Sequence, residues 1–153
     1  MFATMIRIAG FAVLAAIALA GCATAPMQEM SDARQSVQAA HEAGARDYAS
    51  HNLRIAAEYL EEAERELELR YFNRARHDAV VARSEALKAR NVTLAIREAE
   101  DEIAQSSAAE DVVRQATDLL LEAMQAAVEG KDKKAIRLAD EAKTLLQQTA
   151  ATP

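Results

Sequence analysis

Ala75-Arg76-His77-Asp78-Ala79-Val80-Val81-Ala82-Arg83-Ser84-Glu85-Ala86-Leu87-Lys88-Ala89 places an alanine at 75, 79, 82, 86 and 89. Alternating steps of four and three put these residues on one stripe of an α-helix, and the charged residues fall between them. A stripe of methyl groups is the seam of an antiparallel bundle, and it allows helix axes to approach to the short end of about 8–10 Å. The stripe continues through Val92, Ile96, Ala99 and Ile103, then weakens at Ser106, Ser107 and Glu110. A bend or break is expected near Gln105 to Ala108. The alternative is one helix running through with a polar gap in its seam.

Working back from the seam, Arg70 to Asn73 is expected to form a bend plugged by Tyr71 and Phe72. Before it, a partner helix is expected to start near Leu53, with Ala56, Tyr59, Leu60, Ala63 and Leu67 on its inner face. The run Glu61, Glu62, Glu64, Glu66 and Glu68 reads as its solvated face, with Glu61–Arg65 and Glu66–Arg70 placed for i,i+4 pairing. Ser50-His51-Asn52 carries weak helix formers with local-bonding side chains, which predicts a turn. An earlier helix is expected from a cap at Ser31 or Asp32 to about Tyr48, with Ala33, Val37, Ala40, Gly44 and Tyr48 inward.

Working forward, Val113, Ala116, Leu119, Leu120, Ala123 and Ala127 form the inner face of a fourth helix. Gly130 is its expected left-handed terminator. Asp132 or Lys133 opens a last helix through Ala135, Leu138, Ala139, Ala142 and Leu146. Leu60, Ala63, Ala75, Ala79 and Ala82 thus recur sixty residues on as Leu120, Ala123, Ala135, Ala139 and Ala142. The small-residue spacing of 12 then 7 is similar to that of tetratricopeptide hairpins, which implies a hairpin geometry of that kind. The period, the absent Trp-Leu-Gly-Tyr block and the absent closing proline depart from that family.

Composition agrees with an all-α fold. Much of the 51% hydrophobic content is alanine, there is no Trp, and aromatics make up only 4%. No proline falls between Pro26 and Pro153, and strand alternation is missing. The expectation is an elongated bundle or repeat-like array of antiparallel hairpins, with four to five helices. Its helical domain spans 31–149, with hairpins at about 53–90 and 112–148 and a frayed tail at 150–153. A net charge of −6 with interspersed signs lacks the basic footprint of a nucleic-acid binder.

The N-terminal stretch carries the chain's most specific chemistry. Ile8 to Ala20 is uncharged and apolar, and its 13 residues would span only about 20 Å as a helix against a bilayer core of roughly 30 Å. A short apolar segment behind Arg7 and ending in small residues is the layout of an export signal. Leu19-Ala20-Gly21-Cys22 follows it, and Cys22 is the only cysteine. This tetrapeptide resembles the lipobox of bacterial lipoproteins. The resemblance implies a signal peptide over 1–21, cleavage between Gly21 and Cys22, and a covalent lipid on Cys22, with 22–30 as a lipidated tether. Ala23, where an aspartate would signal inner-membrane retention, implies the periplasmic face of the outer membrane. Two or more acyl chains, at about 0.8 kcal/mol per buried methylene, would hold the chain there stably.

Residues from about Met30 to Arg90 also resemble a bacterial domain-of-unknown-function family of short helical lipoproteins. The likeness rests on Gly44-Ala45-Arg46-Asp47-Tyr48-Ala49, Leu53 with Ala56, Tyr71-Phe72, and the seam Ala75, Ala79, Ala82 and Ala86. Some members of that family continue into a peptidoglycan-binding domain, where this chain has a second hairpin instead.

Catalytic signatures are missing. His41, His51 and His77 sit in three segments without metal-ligand spacing, and neither a phosphate-binding glycine loop nor a Gly-x-Ser-x-Gly elbow occurs. Tyr48, Tyr59, Tyr71 and Phe72 are candidates for lining a partner or ligand groove. The expectation is therefore a non-catalytic scaffold or adaptor that docks periplasmic or outer-membrane proteins. It needs no cofactor beyond the lipid on Cys22, no metal and no small-molecule substrate. The alternative is a spacer between outer membrane and cell wall. Covalent linkage to the wall is disfavoured because the chain ends Ala150-Ala151-Thr152-Pro153 and its last lysine is Lys143.

Overall fold

The computed structural model describes residues 24–150. The signal segment and Cys22 lie outside these described residues. Six helices follow in order: α1 Met27–Ala43, α2 Ala45–Tyr48, α3 Ser50–Glu68, α4 Phe72–Gln105, α5 Glu110–Val128 and α6 Asp132–Ala150. Five are long and α2 is a single turn. Together they pack as an all-α bundle organised along α4, whose 34 residues correspond to about 51 Å of helix.

The seam forms as its spacing predicts. Ala75, Ala79, Ala82, Ala86 and Ala89 are completely buried, followed by Val92, Ile96 and Ala99. On its first half, α4 pairs with α3 as an antiparallel hairpin, and α1 lies alongside. Bonds from Arg76 to Glu29 and from Arg97 to the Ala43 carbonyl run in the same order along both helices, so α1 is parallel to α4. On its second half α4 carries the α5–α6 hairpin in the same way, with Lys143 of α6 bound to Glu98.

The two halves are built alike. Ala56, Ala63, Ala75, Ala79 and Ala82 are fully buried, and so are Ala116, Ala123, Ala135, Ala139 and Ala142. Met30, Ala33, Val37 and Ala40 of α1 cover the first hairpin, as Ala89, Val92, Ile96 and Ala99 of α4 cover the second. Helix α4 is thus the last helix of one three-helix unit and the first of the next.

Both hairpin turns close with the same hydrogen bonds. The amides of Arg70 and Tyr71 donate to the carbonyls of Leu67 and Glu66, and those of Gly130 and Lys131 donate to Ala127 and Ala126. Each is a Schellman closure with a left-handed residue, φ +62° at Arg70 and +71° at Gly130.

Several boundaries differ from expectation. Helix α1 starts at Met27 behind Pro26, four residues before the expected start at 31. Ser31 and Asp32 do not cap it, since their side chains bond Gln35 and Gln28 within the helix. Burial of Met30 extends the core, and with it the helix, toward the N-terminus. The first helix does not continue to Tyr48, because Gly44 turns left-handed at φ +92°. Ser50, His51 and Asn52 are not a turn but the first residues of α3; the chain bends at Ala49. Burial of Asn52 among long-range partners overrides its weak helix propensity. Tyr71 does not plug the bend, as its side chain is exposed. The expected break after Gln105 is present, with the Ser106 hydroxyl accepting a bond from the Ala108 amide. Helix α6 reaches Ala150, and 151–153 lie outside the described residues.

Candidate functional site

Gly21 and Cys22, the expected cleavage and lipidation site, lie outside the described residues, which begin at Thr24. The Arg76 guanidinium donates to the Thr24 carbonyl at 3.1 Å and to Glu29 at 2.8 Å. A bond from its own backbone amide, and then Arg76, hold the Glu29 carboxyl below the ordinary range. The N-terminal segment therefore enters the bundle at the start of α4, beside the α3–α4 turn. At that turn Leu69 and Tyr71 are exposed, and Arg74 lies 5.6 Å from the centre of the Tyr71 ring. Tyr71, Asn73 and Arg74 line an open hollow of about 420 Å³.

The four candidate aromatics do not share a groove. Tyr48 precedes α3 and Tyr71 follows it, so the 19 residues of that helix hold them about 28 Å apart. Tyr48 is committed to a structural bond, donating its hydroxyl to Glu100 at 2.7 Å, and that bond pushes its pKa up. Tyr59, expected on the inner face of its helix, is instead exposed midway along α3, and Phe72 is half-buried at the start of α4. Among the described residues no group of three or more His, Cys, Asp or Glu side chains is arranged to hold a metal ion. No described helix is long and apolar enough to cross a membrane.

Two polar features were not anticipated. Glu66 does not pair with Arg70. It is buried, and Arg70 has left the helix. Burial, then the Asp78 and Glu62 carboxylates, push the Glu66 pKa up, with Arg74 opposing them. In the second unit the equivalent positions of Glu66 and Asp78 are Ala126 and Leu138.

The second feature joins the two units. The Asn52 Nδ2 donates to Glu85 at 3.2 Å and to Asp132 at 3.1 Å, and Lys88 donates to Glu85 at 2.7 Å. That last bond raises the Lys88 pKa. Nearby, the His51 ring packs on the backbone of Gly130. The weak helix propensity of His51 and Asn52 was the available signal. It pointed to a turn because long-range partners leave no mark in local sequence.

Residues 28–95 match the family model described as Domain of unknown function (DUF4398). The DUF4398 segment covers α1 to α3 and α4 as far as Ala95, so it contains the first three-helix unit and the resemblance read over Met30 to Arg90. No curated protein and no solved structure matches the chain.

Proposed function

We propose that the chain is a lipid-anchored, non-catalytic scaffold at the periplasmic face of the outer membrane, docking envelope proteins along its helical faces. The lipobox Leu19-Ala20-Gly21-Cys22 supports the anchor, with the lipid on Cys22 as its one covalent group. The observation that carries the reading is the hold of Arg76 on Thr24, two residues after Cys22, at one end of the bundle. An anchor there leaves the long axis of α4 free to project from the membrane. Outward-facing apolar pairs one heptad apart, Val80 with Leu87 on α4 and Leu121 with Val128 on α5, offer strips for a partner's helix. The tetratricopeptide-like hairpins inferred from the alanine spacing suit the same use.

Photocrosslinkers at Val80 and Leu121 in intact cells should capture a discrete envelope protein, and a fatty-acid label should mark the native chain but not Cys22→Ser. A label that persists in Cys22→Ser refutes the anchor, and crosslinking no different from that at the charged surface refutes the docking strips. The length of α4 favours a second reading, a non-covalent spacer toward the cell wall. Recovery of the chain in the wall fraction without a captured protein would select it.

A further inference from the structure

We propose that the α3–α4 turn is itself a bilayer-docking surface, which seats this end of the bundle on the phospholipid headgroups. The proposal rests on the lipid-anchor reading and adds a second, non-covalent contact to it. The Thr24 carbonyl accepts a bond from Arg76, and only Ala23 separates it from Cys22. Two residues of extended chain reach at most about 7 Å. That is comparable to one headgroup layer, since a bilayer of about 40–45 Å encloses a core of about 30 Å. A tether so short cannot hold the bundle clear of the surface.

The side chains at this end suit that position. Met27 and Leu69 are each 62% exposed and Tyr71 is 53% exposed. Arg70, Arg74 and Arg76 lie here with the carboxylates of Glu68 and of Glu29, the latter paired with Arg76, in a chain of net charge −6. Arginine, tyrosine and exposed aliphatic groups together form an interfacial surface, with apolar bodies entering the acyl boundary and charges remaining at the headgroups. The second unit provides an internal comparison. Its turn closes with the same hydrogen bonds, yet Glu129, Lys131 and Asp132 stand where Leu69, Tyr71 and Phe72 stand in the first. The turn therefore closes without apolar residues, and its hydrogen bonds do not require the exposed Leu69 and Tyr71.

The chain contains no tryptophan, so a single one reports its own surroundings. The full protein carrying Tyr71→Trp or Lys131→Trp is purified from membranes in detergent and reconstituted into phosphatidylethanolamine–phosphatidylglycerol vesicles with brominated acyl chains. Mass spectrometry of the Cys22 peptide reads the anchor separately. Tyr71→Trp should be blue-shifted and quenched severalfold more than Lys131→Trp. Adding Leu69→Asp should weaken that quenching while helicity is unchanged. An acylated chain whose two reporters quench equally overturns the docking surface and leaves the anchor standing. Selective quenching of Tyr71→Trp in a chain without acyl mass refutes the anchor and supports the surface. Quenching indifferent to Leu69→Asp also overturns it, since the tether alone would then account for proximity.

Discussion

Asn52 donates a hydrogen bond of 3.1 Å to Asp132, eighty residues away, and so ties the start of α3 to the first turn of α6. Asn52 is only 3% exposed and also binds Glu85, so removing it strips a donor from two carboxylates at once. Asn52→Ala should cost about 1–3 kcal/mol, read from denaturant midpoints. A loss below about 0.5 kcal/mol, typical of an exposed site, would show that the node does not hold the units together.

Gly130 is left-handed, and a Cβ there would lie 2.6 Å from the His51 ring. Gly130→Ala should therefore cost more than the roughly 1–2 kcal/mol of the backbone strain alone. At Gly44, with φ +92° and nothing within 4 Å of where a Cβ would sit, the same change should show only the strain. His51→Ala should recover part of the Gly130→Ala loss in a double-mutant cycle and none of the loss at Gly44. Equal costs at both glycines would remove the His51 contact from the account.

Arg70 does without glycine what Gly130 does with it. Arg70→Gly should raise stability by about 0.5–1 kcal/mol, because it relieves a left-handed residue in an unchanged turn. A lower melting temperature for this variant would mean that the Arg70 side chain matters more to the fold than its backbone strain.

Ala79 and Ala82 pack with Ala63 of α3 and also with Met30 and Ala33 of α1. Ala79→Phe and Ala82→Leu should each cost about 1–3 kcal/mol by overpacking. Arg83→Leu, on the exposed side, should change stability by less than about 0.5 kcal/mol. Thermal melts compare the three, and equal tolerance would move the seam elsewhere.

Glu66 makes stability depend on pH. Its carboxyl is raised above the ordinary value of 4.5, so the folded chain keeps a proton that the unfolded chain has released. Stability from this group is full below the ordinary value and is lost as pH rises through the raised one. Glu66→Gln should therefore melt higher than the native chain near pH 7, with the gain fading toward about pH 4. A gain that is the same at both pH values would assign the effect to packing.

The seam was legible because it is local: the steps of four and three between Ala75 and Ala89 need only helix geometry to define a face. The break after Gln105 was legible for the same reason, since the stripe fails there. What covers the seam was not. Met30 and Ala33 fill the first unit's groove from α1, and a face of small side chains carries no code for its partner. Asn52 was misread because its role depends on Glu85 and Asp132. The exposure of Tyr71 was hidden by the habit of aromatic residues to fill bends. Of the candidate site, Cys22 stood out by its neighbours alone, whereas the hold of Arg76 on Thr24 needed the fold.

Helix α4 belongs to both units, and that has a practical consequence for anyone dividing the chain. The family match stops at residue 95, inside this helix and one residue before the buried Ile96. A cut there removes Ile96 and Ala99, which with Val92 and Ala89 cover the second hairpin, while a cut before Phe72 takes away the partner of α3. The break at 106–109 is the open site, and a cut there leaves the first unit with its whole α4. Limited proteolysis should accordingly yield a persisting α1–α4 fragment, while the α5–α6 hairpin, stripped of its α4 cover, is degraded.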